Sequence, residues 1–249
     1  MPLIVDNTMA TPWLCRPFEW GADLVVHSTT KFLSGQGNAM GGIVIDSGRF
    51  PWFGNAKYPS LSEPCPDYNG LTFAETFGDM AFTLYSHAVS LRDLGCSQSP
   101  MNAWITLNGV ETLPLRMERH VENAQKVAGF LQQHPSVEWV SYAGLSSRPY
   151  YKLAQKYLQG KAGSVFTFGI RGGYESGLRL LEKVELFSHV SNIGDSRSLI
   201  LHPASTPHRQ LSDEQRLTAG AGPEVIRLSV GIESAEDLIA DLEQALEGI

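Results

Sequence analysis

Residues 27–37 read HSTTKFLSGQG and follow directly on an apolar run, Ala22-Asp23-Leu24-Val25-Val26. A short apolar run bounded by turn residues reads as a buried strand. The hydroxyls, the single lysine and the glycines at 35 and 37 then form the turn beyond its carboxyl end, the edge at which open α/β sheets bind their ligands. An amine in such a place needs a partner, because burying an unpaired charge is costly. Taken alone, Ser-x-Thr-Lys is more often a surface lysine beside a polar turn, so the neighbouring runs have to decide.

Two such runs flank it. Residues 3–5 (Leu-Ile-Val) end in Asp6, and Ile43-Val44-Ile45 follows the Gly41-Gly42 pair. With 22–26 they are expected to be strands of one sheet, buried on both faces. Asp6 and Lys31 would then face one pocket from neighbouring strand ends. Pyridoxal phosphate (PLP) chemistry uses this pair: the amine forms a Schiff base with the aldehyde, and the carboxylate keeps the pyridine nitrogen protonated. Ser28 and Thr30, on the same side of the turn, are placed to donate hydrogen bonds to the cofactor phosphate.

Bulk properties narrow the alternatives. In 249 residues, 19 basic side chains stand against 26 acidic ones, a formal charge of −7. That balance gives no electrostatic track for nucleic acid or anionic lipid. There is no apolar run of membrane-spanning length, and MPLIVDNT lacks a basic, apolar leader, so a cytoplasmic protein is expected. Cys15, Cys65 and Cys96 lie far apart and point to neither zinc nor a disulfide framework. The seven histidines show no metal-ligand spacing. His27, His202 and His208 are read as packed or hydrogen-bonded structural residues, and none as catalytic.

Beyond the first sheet, 48–70 is rich in Pro, Gly and aromatic residues without a period, which reads as an ordered surface loop or a lid. Residues 73–94 and 101–107 read as helical. Past Pro114, Val121, Ala124, Val127, Ala128 and Leu131 share one helical face, and this long helix is expected to link two domains. Strands at 164–170 and 224–230 alternate with helices at 174–184 and 235–246, the last opened by a capping-box pattern, Ser234 with Asp237. The fold class is therefore α/β, with 1–110 the part that carries the lysine and 111–249 a C-terminal α/β domain.

VDNTMATP at 5–12, taken with HSTTKFLSGQG, resembles the Cys/Met-metabolism PLP-dependent enzymes of fold type I, and the resemblance runs through essentially the whole chain. It implies that 1–110 is the C-terminal part of the large cofactor domain, with Lys31 the Schiff-base lysine, Asp6 the pyridinium partner, and Ser28 and Thr30 the phosphate contacts. VIRLSVGIE at 225–233 resembles the family's carboxylate-binding strand, which makes Arg227 the bidentate clamp on the substrate α-carboxylate. Its place inside an apolar strand supports an anion partner. Asn192, in SNIGDSRSLILHPASTPHRQL at 191–211, falls where γ-lyases usually carry a serine beside the substrate carboxylate. Gln36 departs from the histidine that many relatives have there.

With RPFEWGADLVVHS at 16–28 and the 48–70 segment, the chain resembles the O-acetylhomoserine sulfhydrylase branch. That implies γ-replacement on O-acetyl-L-homoserine by sulfide or methanethiol, with Lys31 as the general base. Cystathionine γ-synthase or a γ-lyase of the same family is the alternative. The resemblance further implies an N-terminally truncated chain, since full-length relatives carry a long segment before VDNT with the glycine-rich phosphate cradle and the ring-stacking aromatic. A homo-oligomer or a complementing N-terminal half is therefore expected as partner, and a non-catalytic fragment is the third reading.

Overall fold

The computed structural model describes residues 1–249, which form two sheets. The first comprises β1 (Ile4–Asp6), β2 (Leu24–Ser28) and β3 (Gly42–Asp46) in the order β1-β2-β3, with β1 parallel and β3 antiparallel to the central strand. Asp6 lies opposite Val26 and Gly42 opposite Ser28, so the ends of β1 and β2 and the start of β3 meet beside the lysine turn. Only β2 is buried as expected. Ile4 is 56% and Val44 54% exposed, because β1 and β3 are edge strands that turn apolar side chains to solvent.

Asp46, at the far end of β3, lies opposite Leu24, so the chain enters 48–70 from the sheet end remote from Lys31. The segment is ordered by its own small core, in which Trp52, Leu61, Phe73, Ala74 and Ala81 are buried and Phe50 and Tyr58 meet the Trp52 ring. Helical structure in 73–94 is broken rather than continuous. Phe73–Phe77 ends at Gly78, whose φ of +55° is disfavoured for a residue with a Cβ, and Ala81–Tyr85 runs on into the wide turns of Ser86–Asp93. The next helix, expected at 101–107, extends over Pro100–Glu111.

The second sheet comprises β4 (Val137–Ser141), β5 (Val165–Ile170), β6 (Ser188–His189), β7 (Leu199–Leu201) and β8 (Val225–Ser229), ordered β4-β5-β8-β7-β6. β5 and β8 match the expected strands. β6 and β7 are two and three residues long, too short to show a period, and went unread. β8 lies between β5 and β7 and is antiparallel to both.

The long helix, Leu113–Gln133, joins two cores. Ala124, Val127, Ala128 and Leu131 pack with Phe168, Ile226, Leu228, Leu238 and Leu242 of the larger one. One turn earlier, Met117 and the half-buried Val121 pack with Leu14, Phe32 and Leu33 behind the lysine turn. We retain 110/111 as a proposed domain boundary; Glu111 ends one helix and Leu113 starts the next. No helix is long and apolar enough to cross a membrane.

At the last helix, Ala235–Leu246, Ser234 accepts the Asp237 amide at 3.3 Å, but the reciprocal bond of a capping box is missing. Aspartate is one methylene shorter than the glutamate that usually reaches back. The complete box is at Ser212 and Gln215, opening Asp213–Thr218.

Candidate active site

Asp6 is exposed at the end of β1 and is held by Thr8. The Thr8 amide donates to Asp6 Oδ1 at 3.0 Å, and Thr8 Oγ1 accepts the Ser28 amide at 2.8 Å, which leaves the hydroxyl proton for the carboxylate. The Thr8 hydroxyl and then its amide hold Asp6 below the usual aspartate value; burial opposes them weakly and the nearby His27 adds to them. Asp6 is thus a carboxylate at neutral pH. Thr8 escaped the sequence reading, although the Asp-x-Thr spacing that closes an Asx turn is visible in VDNT.

The lysine turn, Thr29–Leu33, is wide, with non-helical angles at Lys31 (φ −90°, ψ −128°). It closes through Ser34 N–H to Thr29 O at 3.0 Å and Gly35 N–H to Lys31 O at 2.8 Å. Thr30 Oγ1 accepts the Gly41 amide at 3.0 Å and donates weakly to Gly41 O at 3.3 Å, so this hydroxyl also fastens the neighbouring loop. The Ser28 side chain makes no hydrogen bond within the chain and is free for a ligand.

Lys31 Nζ donates to Asn192 Oδ1 across 161 positions of sequence. Arg227, half-buried in β8, donates from Nη2 to the Asn192 carbonyl at 3.3 Å. Lys31, Asn192 and Arg227 therefore stand in one chain of hydrogen bonds. Gly194 permits this approach: at its φ of +72° a Cβ would fall 2.7 Å from the Phe32 amide nitrogen. Arg227 has no carboxylate within ion-pair distance, whereas Arg197 nearby meets Asp195 at 3.0 Å. Burial pushes the Arg227 guanidinium pKa down, so an anion that replaced lost water would be bound to advantage.

The three singled-out histidines lie away from this chain of bonds. His202 is fully buried, with Nδ1 on Ser205 Oγ at 3.0 Å and Nε2 on the Pro223 carbonyl at 2.9 Å. His27 and His208 each keep a buried Nδ1 without a partner, and burial lowers the His27 pKa, with Asp6 opposing. Gln36 is exposed and accepts a hydrogen bond from Asn38 at 3.1 Å.

The model of the Cys/Met metabolism PLP-dependent enzyme family matches residues 1–247. The chain belongs to this family. Among Cys/Met metabolism enzymes it is similar to the O-acetyl-L-homoserine sulfhydrylase of Leptospira meyeri, at 51% identity over 100% of this chain and 58% of the relative. It is also similar to O-acetyl-L-homoserine sulfhydrylase 1 of Thermus thermophilus, at 50% identity over 98% of this chain and 58% of the relative. The chain thus spans 58% of the length of these two curated relatives. A crystal structure described as an O-acetylhomoserine (thiol)-lyase of Campylobacter jejuni, holding N'-pyridoxyl-lysine-5'-monophosphate, matches with a TM-score of 0.95 at 43% identity. That match covers 100% of this chain and 59% of the other. The family and its fold-type-I α/β architecture, read from 5–12 and 27–37, and the likeness to the sulfhydrylase branch, read from 16–28, 48–70 and 191–211, are borne out.

Proposed function

We propose that this chain supplies the Schiff-base lysine and the substrate-carboxylate arginine of an enzyme that replaces the γ-acetate of O-acetyl-L-homoserine with sulfide or methanethiol. The products are homocysteine or methionine, and acetate. The observation that carries this reading is the contact of Lys31 Nζ with Asn192 Oδ1, whose own carbonyl meets Arg227. An amine and a guanidinium that has no carboxylate partner thus share Asn192, which supports a common site for the two.

The residues present fit PLP. Asp6 is an ionised carboxylate at the strand end, suited to hold a proton on the pyridine nitrogen, and Lys31 is an amine at the adjacent one. The Ser28 hydroxyl is free for the phosphate, and Thr30 can turn its weakly bonded proton toward it. When bound, PLP supplies the electron sink for charge released at the substrate Cα. Arg227 holds the α-carboxylate through its two-pronged fork and so sets which Cα bond lines up with the ring. Asn192 receives the Lys31 amine and keeps it within reach of the protons on Cα and Cβ that it removes in turn.

We infer further that a polypeptide corresponding to the N-terminal part of the relatives completes the site. The open edges β1 and β3, with Leu3, Ile4, Ile43 and Val44 exposed, support this: unpaired apolar edges favour strand addition. The test is to assay residues 1–249 for sulfide-dependent consumption of O-acetyl-L-homoserine, alone and with the N-terminal part of a sulfhydrylase relative. Activity restored by the added half is expected. Product release without added sulfide would assign a γ-lyase instead, and no turnover with any added half would leave a non-catalytic fragment.

In the active assembly, Arg227→Lys is expected to raise KM for O-acetyl-L-homoserine by about tenfold or more while cofactor binding changes little, since a point charge replaces a planar fork. Steady-state kinetics and cofactor titration measure the two effects, and equal losses in both would make Arg227 a structural residue.

A further inference from the structure

The long helix carries a polar stripe on its inward face, Arg116, His120 and Asn123, whose spacing of four and then three puts them on one side. All three bond to the backbone of other segments. Arg116 donates from Nη1 to Phe32 O at 2.8 Å, and from Nη2 to Gly109 O at 2.6 Å and Leu33 O at 3.4 Å. Its Nε donates to Thr112 Oγ1 at 3.1 Å. His120 Nδ1 donates to Val230 O at 2.7 Å, and Asn123 Nδ2 to Gly231 O at 3.0 Å and Glu233 O at 2.8 Å. One helix face thus grips the backbone just after Lys31 and the chain just after Arg227.

Arg116 is half-buried and has no carboxylate partner; its charge is met by carbonyl oxygens and one hydroxyl. Carbonyls at the end of a helical turn lack partners of their own, and hydrogen bonds from a charged donor are the strong kind. Two glycines keep the space for this grip. A Cβ on Gly35 would fall 2.5 Å from Arg116 Nη1, and one on Gly109 2.3 Å from Leu33 O. The Phe32 side chain, whose carbonyl Arg116 holds, is fully buried, and the His120 ring meets it edge-on at 5.3 Å between centroids.

We propose that Arg116 is a positioning residue for Lys31: by fixing the Phe32–Leu33 backbone it holds the lysine amine on Asn192. The proposal rests on the reading of Lys31 as the reactive amine, and nothing in the sequence reading singled Arg116 out. Side chains held by a second layer of bonds keep reactive geometry, and a loosened layer lets the reactive group wander.

The test reads Lys31 itself. The chain 1–249 is reductively methylated with formaldehyde and cyanoborohydride at low conversion, and the rate at Lys31 is compared by peptide mapping with the exposed Lys57 and Lys152. Lys31 should be slower than both in the unaltered chain. Arg116→Ala should raise its relative rate by about threefold or more, and Arg116→Lys, which can reach one carbonyl, by less. Asn192→Ala should give a comparable rise, and the double variant no further one, because the two changes act on one contact.

An unchanged Lys31 ratio in Arg116→Ala, whatever happens to the melting temperature, would overturn the proposal, as would full additivity with Asn192→Ala. If Arg116→Ala does not fold, Thr112→Val removes the Nε acceptor, together with the bond of that hydroxyl to Gly109 O at 3.2 Å, and should still raise the ratio; no rise overturns the idea equally. Failure of the underlying reading looks different: borohydride reduction with PLP would then label a lysine other than Lys31, while the methylation ratios stayed as expected.

Discussion

Lys31→Ala is expected to abolish both Schiff-base absorbance and turnover in whatever assembly is active, with a rate loss of about 10⁴-fold or more. Proton transfer by a positioned base is worth roughly 10²–10⁴-fold on its own, and under the proposed assignment the same side chain would also form the covalent link to the cofactor. The fold should hardly notice. The amine makes one hydrogen bond, to Asn192 Oδ1, and that half-buried amide can turn to water once the lysine is gone. The discriminating pair of measurements is therefore cofactor absorbance against melting temperature. Loss of the first with the second nearly constant supports the assignment. Retained turnover, or borohydride label on Lys57 or Lys152 in the unaltered assembly, would transfer the role elsewhere.

Asp241→Ala should have the opposite profile, a loss of stability of about 3 kcal/mol with no direct effect on the lysine turn. Asp241 is 7% exposed within Ala235–Leu246. It accepts the amides of Glu185, Leu186 and Phe187 at 2.8, 2.9 and 3.1 Å, and Gln244 Nε2 at 3.1 Å. Removing it leaves three backbone donors without their acceptor, the Phe187 amide in a buried bond and the other two in partly buried ones.

The effect also has a sign in pH. Burial alone would raise the carboxyl pKa, but the three amides and Gln244 outweigh it and hold Asp241 below the ordinary aspartate value. A depressed folded-state pKa contributes stability above the unfolded value of about 4, and that stability is lost as pH falls through the lower folded one. The gap in unfolding free energy between wild type and Asp241→Ala should thus be constant near neutrality and narrow in strong acid. A gap independent of pH down to complete acid unfolding would show that the carboxylate charge plays no part.

His120 adds to the acid sensitivity. Burial lowers its pKa to about 4, against the bond to Val230 O. The unfolded chain takes up a proton near the ordinary histidine value, so this term erodes stability as pH falls below about 6.5.

Much of the candidate site was legible because it is written locally. The hydroxyls, lysine and glycines of 27–37 and the Asp6 that ends the preceding apolar run are consecutive or nearly so, and strand ends follow from short apolar runs. The helical face with Ala124, Val127, Ala128 and Leu131 was equally plain, since burial on one side imposes its period on the sequence. Strands β6 and β7 left no period, and the break at Gly78 depends on one backbone angle.

What only the tertiary structure decided is which distant groups meet. Asn192 was picked out by likeness alone, and its grip on Lys31 spans 161 positions; Arg116 reaches Phe32 over 84. Exposure of β1 and β3 likewise depended on which strands the folded chain pairs with them, since an apolar run looks the same at an edge as in the middle of a sheet. Local composition sets which backbone states a segment can adopt. Hydrogen bonds between segments arise only when separate packed elements close on one another, and no residue pattern within either segment records that distance.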